Sequence, residues 1–143
     1  MAYYFLNTDA KSLGRVSPHD KWIKHGFAFT GGPIVYGKKL GRLSPGDICL
    51  MYANLIGMVA IGRVLEEWDG KTYTSPIVYT SPHYDEEYRI RVDWYLDLRK
   101  NPIAPSKLIQ VLGWNPRVSV QRVRKEEAKI VALVEEIARK AKA

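Results

Sequence analysis

The sequence predicts an α+β domain of about six strands, with short helices between them and one amphipathic helix at the end. Three stretches carry that expectation. Tyr88, Ile90, Val92 and Trp94 alternate with Arg89, Arg91 and Asp93, the period of two that marks a strand with one dry face. Residues 48–52 and 58–64 are short apolar runs joined by Asn54-Leu55-Ile56-Gly57, which reads as a hairpin. Ile130, Leu133, Val134, Ile137, Ala138 and Ala141 keep helical spacing, with Lys and Glu on the opposite face.

The remaining elements follow in order. Tyr3-Tyr4-Phe5-Leu6 is a β-prone run stopped by the turn-forming Asn7-Thr8-Asp9. Residues 17–26 open on a capping serine and a proline and close on glycine, which suits a short helix. Phe27-Ala28-Phe29-Thr30 is a short extended piece ended by Gly31-Gly32-Pro33, and residues 34–43 form a short helix or basic loop. Ser44-Pro45-Gly46-Asp47 is a turn by composition and leads into the hairpin. A β-prone stretch over 73–79 and a loop over 81–84 precede the alternating strand. Pro102 and Pro105 then punctuate a loop, 107–112 is a helical turn, 118–123 is a last strand, and 125–142 is the terminal helix.

At 143 residues the chain is one domain, over 1–143, with enough length to bury a core. No apolar run reaches the length of a membrane span and residues 1–15 lack a signal-peptide pattern, so a cytoplasmic protein without a membrane partner is expected. Its single cysteine, Cys49, sits in an apolar run and reads as a small buried hydrophobe. The 22 basic against 15 acidic residues leave +7, a balance that points to an anionic partner, most often nucleic acid. Asn and Gln are scarce, as in many heat-adapted proteins, and source temperature offers a second origin for the lysine surplus.

Catalytic signatures are missing. There is no P-loop, no dinucleotide-binding glycine motif, no nucleophile elbow and no Cys/His spacing for a metal, so neither metal nor cofactor is expected. His19 and His25 do not stack on one helix face, and Asp85-Glu86-Glu87 reads as a solvated acidic loop. Trp22, Trp94 and Trp114 read as core. Other aromatics fall at the edges of turns: Phe27, Phe29, Tyr52, Trp68, Tyr79 and Tyr84. Flat side chains there can sandwich a base, at roughly 1–3 kcal/mol per stacked base.

In their order these segments resemble the PUA-like superfamily, specifically its EVE and YTH branches, small mixed β-barrels that read modified bases. Tyr3-Tyr4-Phe5-Leu6-Asn7-Thr8 resembles their first strand, which ends in a polar pair facing the ligand. Gly26-Phe27-Ala28-Phe29-Thr30 is similar to the YTH segment Gly-x-Trp-Ser/Thr, with Phe29, or in another register Phe27, where the Trp stands. Leu43-x-x-Gly46-Asp47-x-x-Leu50-x-Tyr52 and the strand after Gly57 are similar to the central EVE pattern. Arg117-Val118-Ser119-Val120-x-x-Val123 before a charged helix is closer to EVE. Arg91-x-Asp93-Trp94 also resembles DNA-reading modules set ahead of the motor in McrB-type modification-dependent restriction systems. The helix 125–142 fits a module leading to a fused motor or nuclease domain, and fits a free-standing protein equally.

The resemblance implies a non-catalytic reader of a modified base, methylation foremost, flipped or unpaired, in DNA rather than RNA. Asn7 and Thr8 would bond the base edge. Phe29, Trp68 or Tyr79, and Tyr84 would supply walls, with Phe27 and Thr30 beside them and Tyr52 or Asn54 completing the pocket. Lys38, Lys39, Arg42, Arg89 and Arg91 would hold phosphates. Three rivals remain: an RNA reader, a nucleotide-processing enzyme using His83, Asp85 or Glu87, and an interaction module docking through the terminal helix.

Overall fold

Tyr3–Asn7 forms strand β1, and all five residues are buried, as a run of aromatic and apolar side chains in a central strand should be. A computed structural model describes residues 1–8, 18–74, 77 and 86–142 of the chain. Among them β1 is followed by α1 (Pro18–His25), β2 (Phe27–Gly31), α2 (Ile34–Leu40), β3 (Ile48–Ala53), β4 (Gly57–Val64), β5 (Glu87–Asp97), α3 (Pro105–Leu112), β6 (Val120–Arg122) and α4 (Glu127–Lys142). The strands form one six-stranded sheet in the order β2-β5-β4-β3-β1-β6, a half-barrel in which β1 and β3 run parallel and the other neighbours antiparallel.

Both faces of the central strands are dry. On one, Tyr4, Leu6, Cys49 and Met51 pack with Trp22 of α1, Phe29 of β2 and Leu40. On the other, Phe5, Leu50 and Ile61 lie under Leu108 of α3 and Ile130, Leu133 and Val134 of α4. Two-sided burial explains why β1, β3 and β4 read as continuous apolar runs, whereas Tyr88, Ile90 and Val92 of β5 are buried between exposed or half-buried neighbours.

Turn chemistry sets the hairpin. Asp47 accepts the Ser44 backbone N–H through Oδ2 (2.9 Å) and the Ala2 N–H through Oδ1 (2.9 Å), tying the turn to the start of β1. Gly57 has φ +114°, and a Cβ there would collide with the carbonyl of Ile103, which pairs with β4 through Met58. Only glycine satisfies both demands.

Several expectations change. Pro105 opens α3 instead of punctuating a loop, because a proline's missing N–H costs nothing in a helix's first turn. The strand of 118–123 contracts to three residues, with Val118 exposed. Of the stretch 73–79, Tyr73 makes one bridge to Glu87, while Tyr79 and the loop 81–84 lie outside the described residues. The acidic loop is corrected at Glu87, which is wholly buried within β5. The apolar stripe of α4 covers the sheet, which leaves the charged face of that helix outward. No helix among the described residues is long and apolar enough to cross a membrane.

Candidate nucleic-acid interface

The expected contact residues fall into three groups. At the ends of β1 and β3, Asn7 stands opposite Tyr52, and Asn7 Nδ2 donates to Asn54 Oδ1 at 3.1 Å. The Thr8 N–H donates to the Tyr52 carbonyl at 2.9 Å, carrying the parallel ladder one residue past the strand. Asn54 is half-buried in the β3–β4 turn, and its own amide N–H₂ has no acceptor among the described residues. That leaves a donor beside a fixed amide pair, suited to the edge of a base. Tyr52 is corrected as a pocket residue: its ring lies edge-on to Phe5 (6.4 Å) in the core beneath α3 and α4, where burial pushes its hydroxyl pKa up.

The second group lies along β2 and β5. Phe29 is wholly buried against Trp22 (5.9 Å between ring centroids) and Phe27 (5.8 Å), so it shows no face on which a base could stack. Thr30 is spent as well: its hydroxyl donates to the Tyr36 carbonyl at 3.0 Å, fastening β2 to α2. Arg89 is reassigned from phosphate to core. Its guanidinium donates to Glu87 Oε1 at 2.8 Å and stacks 3.9 Å from the Tyr73 ring centroid, with its side chain only 13% exposed. The sequence reads Glu87 as part of a solvated acidic loop or as a catalytic alternative, and Tyr73 only as the start of a β-prone stretch. It joins neither to Arg89, although the period of two places Glu87 and Arg89 on one face of β5.

The third group surrounds α2. Trp68 is partly buried, edge-on to Tyr88 (6.3 Å), with Gly41 beside it, and its buried indole N–H has no acceptor among the described residues. Lys38 and Arg42 are exposed, and Lys39 sits 4.8 Å from the centroid of the Tyr36 ring. Arg91 is exposed on β5, its backbone N–H bonded to Glu66 Oε1 at 3.1 Å. Tyr79 and Tyr84 lie outside the described residues, as do His83 and Asp85. No group of His, Cys, Asp and Glu that could hold a metal ion occurs among the described residues. Cys49 is buried, and desolvation pushes its thiol pKa up, which removes the thiolate that nucleophilic chemistry needs.

Compared with protein-family models the chain matches none, and compared with curated proteins its sequence matches none. Solved structures do match over almost the whole length. A YTH domain-containing protein, mmi1, in complex with RNA aligns at TM-score 0.63 and 10% identity, over 99% of this chain and 87% of that one. A hypothetical protein from Leishmania major aligns at TM-score 0.58 and 19% identity, over 95% and 96%. A protein from Pseudomonas syringae aligns at TM-score 0.56 and 18% identity, over 92% and 99%. The chain therefore has a YTH-like fold.

Proposed function

We propose that the chain binds a nucleic-acid strand and holds one unpaired, modified base at the Asn7–Asn54 end of the sheet. The observation that carries the reading is the joined Asn7 and Asn54 amides with the Asn54 donor left open, at a strand end of a fold shared with a YTH domain solved with RNA. The polar edge of the base would meet Asn54, Asn7 and Thr8. With Phe29 and Tyr52 committed to the core, and Trp68 packed beside Gly41 next to Arg42 and away from Asn54, Tyr79 and Tyr84 remain the candidate walls. A buried methyl contributes only about 1 kcal/mol, so discrimination also requires excluding the water that an unmodified amine keeps.

RNA is favoured over DNA, because the structural neighbours solved in complex hold RNA. Attachment to a restriction motor draws no support from these likenesses. The reading is of a binding protein without turnover; Glu87, one of the side chains a catalytic alternative would use, is buried and paired with Arg89.

The test is a binding panel of RNA and DNA strands, single and double, carrying 6-methyladenine, 5-methylcytosine or no mark. One mark should bind more tightly than its unmodified strand, and Asn54→Ala should weaken that strand about 2–10-fold, the worth of one hydrogen bond at ~0.5–1.5 kcal/mol. Equal affinity for every strand, marked or not, together with an Asn54→Ala protein that binds as the parent does, would overturn the reading. Phe29→Ala is unsuitable as a probe, since it empties part of the core.

A further inference from the structure

At the opposite end of the sheet from Asn54, two adjoining cavities of about 680 and 360 Å³ share Tyr4, Arg42 and Arg122. Arg63 lines the larger and Arg124 the smaller, so four arginines surround one groove. Three separate parts of the chain supply them. Arg42 follows α2, Arg63 is near the end of β4, and Arg122 and Arg124 stand at and just beyond the end of β6. All four are exposed, and none has a carboxylate within ion-pair distance among the described residues. Arg89 and Arg99, by contrast, are both paired.

One acidic residue lines the groove, and it pairs with none of the four arginines. Asp47 is buried, and both its oxygens are occupied by backbone N–H groups of Ala2 and Ser44. Tyr4, at the floor, is 6% exposed and donates its hydroxyl to the Arg42 carbonyl at 3.1 Å, so it offers no open ring for a base. The guanidinium of Arg63 lies 5.3 Å from the centroid of the Tyr95 ring, outside the groove. The lining thus presents the forks of Arg42, Arg122 and Arg124 without a stacking surface, a chemistry matched to phosphate oxygens and not to bases. Its volume lies in the range of ligand sites, ~300–1,000 Å³.

We infer that this groove is a second contact for the nucleic acid, gripping backbone phosphates several nucleotides from the base held at Asn54. The inference rests on the reading of the chain as a nucleic-acid binder. From Ala2 to Asn7 β1 rises about 17 Å at ~3.3 Å per residue, so a strand must be long to engage both ends. Short ligands fill the base site alone.

The experiment compares a dinucleotide with a dodecanucleotide, both carrying the preferred base, on the full chain and on its Arg42→Gln/Arg122→Gln variant. Both side chains are exposed, and the Arg42 carbonyl that holds Tyr4 is unchanged, so the variant should melt as the parent does. The variant should bind the dodecanucleotide about tenfold or more weakly at low salt. Its slope of log affinity against log salt should be shallower by about 1.4, at ~0.7 for each single-strand phosphate no longer neutralised. Dinucleotide affinity should not change. Equal affinity and equal slope on the dodecanucleotide overturn the groove, and if Asn54→Ala still weakens binding there, the base site stands without it. If the arginine variant loses affinity while Asn54→Ala changes nothing, the groove stands and the base site falls. A parent chain that binds neither oligonucleotide overturns both.

Discussion

The carboxylate of Glu87 has no exposed surface, and the Arg89 guanidinium lies 2.8 Å from it, over the ring of Tyr73. Removing one member of such a pair leaves the other charge buried, at a cost of about 3–5 kcal/mol. Glu87→Ala should therefore lower the urea midpoint sharply, while an exposed change such as Lys38→Ala should leave it nearly unchanged. Tyr88 behaves comparably. Its hydroxyl lies 2.8 Å from the Gly32 carbonyl and 2.9 Å from Glu86 Oε2, with one proton to share between the two acceptors, and burial pushes its pKa up to about 12. The ring is thereby held where a Cβ on Gly37 would approach Cδ1 at 2.6 Å. Gly37→Ala should destabilise by about 1–3 kcal/mol, as overpacking does, read from the same denaturation curves. The sequence showed which side of β5 Arg89 occupies. It could not show that Tyr73 and Phe29 cover that side, because both lie far from it along the chain.

Among the elements, β5 and α1 are joined by Arg99, which bonds Asp97 at 2.7 Å and Asp20 at 2.6 Å. The hydrogen bond from Arg99 holds the Asp97 carboxyl below its ordinary pKa. A depressed folded-state pKa contributes stability above the unfolded value of ~3.9 and loses it as pH falls through the lower folded value. Arg99→Gln should thus cost under about 1 kcal/mol at neutral pH, the pair being largely solvated. The difference from the parent should vanish once pH drops below the folded pKa of Asp97, as acid titration of the melting temperature would show. Element positions were largely legible: hairpin, alternating strand and terminal helix each follow from a local period. Two details were not. Pro105 begins a helix because Leu108 and Leu112 find a sheet to cover, and β6 is short because its pairing with β1 ends in the single bonds of Ser119 with Asn7 and of Val123 with Tyr3.

For the whole molecule, α4 is the main lid of the second core. Ile130, Leu133, Val134 and Ile137 cover Phe5 and Leu50, and four such side chains at ~1.5–3 kcal/mol each amount to about 6–12 kcal/mol. That approaches the entire stability of an ordinary domain, ~5–15 kcal/mol. A chain stopped after Glu126 should lose its cooperative thermal transition and bind a hydrophobic dye, which circular dichroism and fluorescence would report. The charge of the molecule is also divided. Arg89 and Arg99 are neutralised by carboxylates, whereas Arg42, Arg63, Arg122 and Arg124 are left around one groove.

Periodicity and turn composition by themselves determined the fold class, the order of the strands along the chain and the surplus of positive charge, because these depend on neighbours within a few residues. They also placed Asn7 and Asn54 at the ends of strands. Only the tertiary structure decided which candidates meet. Parallel pairing of β1 with β3 brings Asn7 to Asn54, closure of β2 on β5 sends Phe29 and Arg89 inward, and antiparallel pairing of β6 with β1 sets Arg122 beside Tyr4 and Arg42. The reason is physical: a side chain's exposure and charge partners are set by strands distant in sequence, and no local period encodes them.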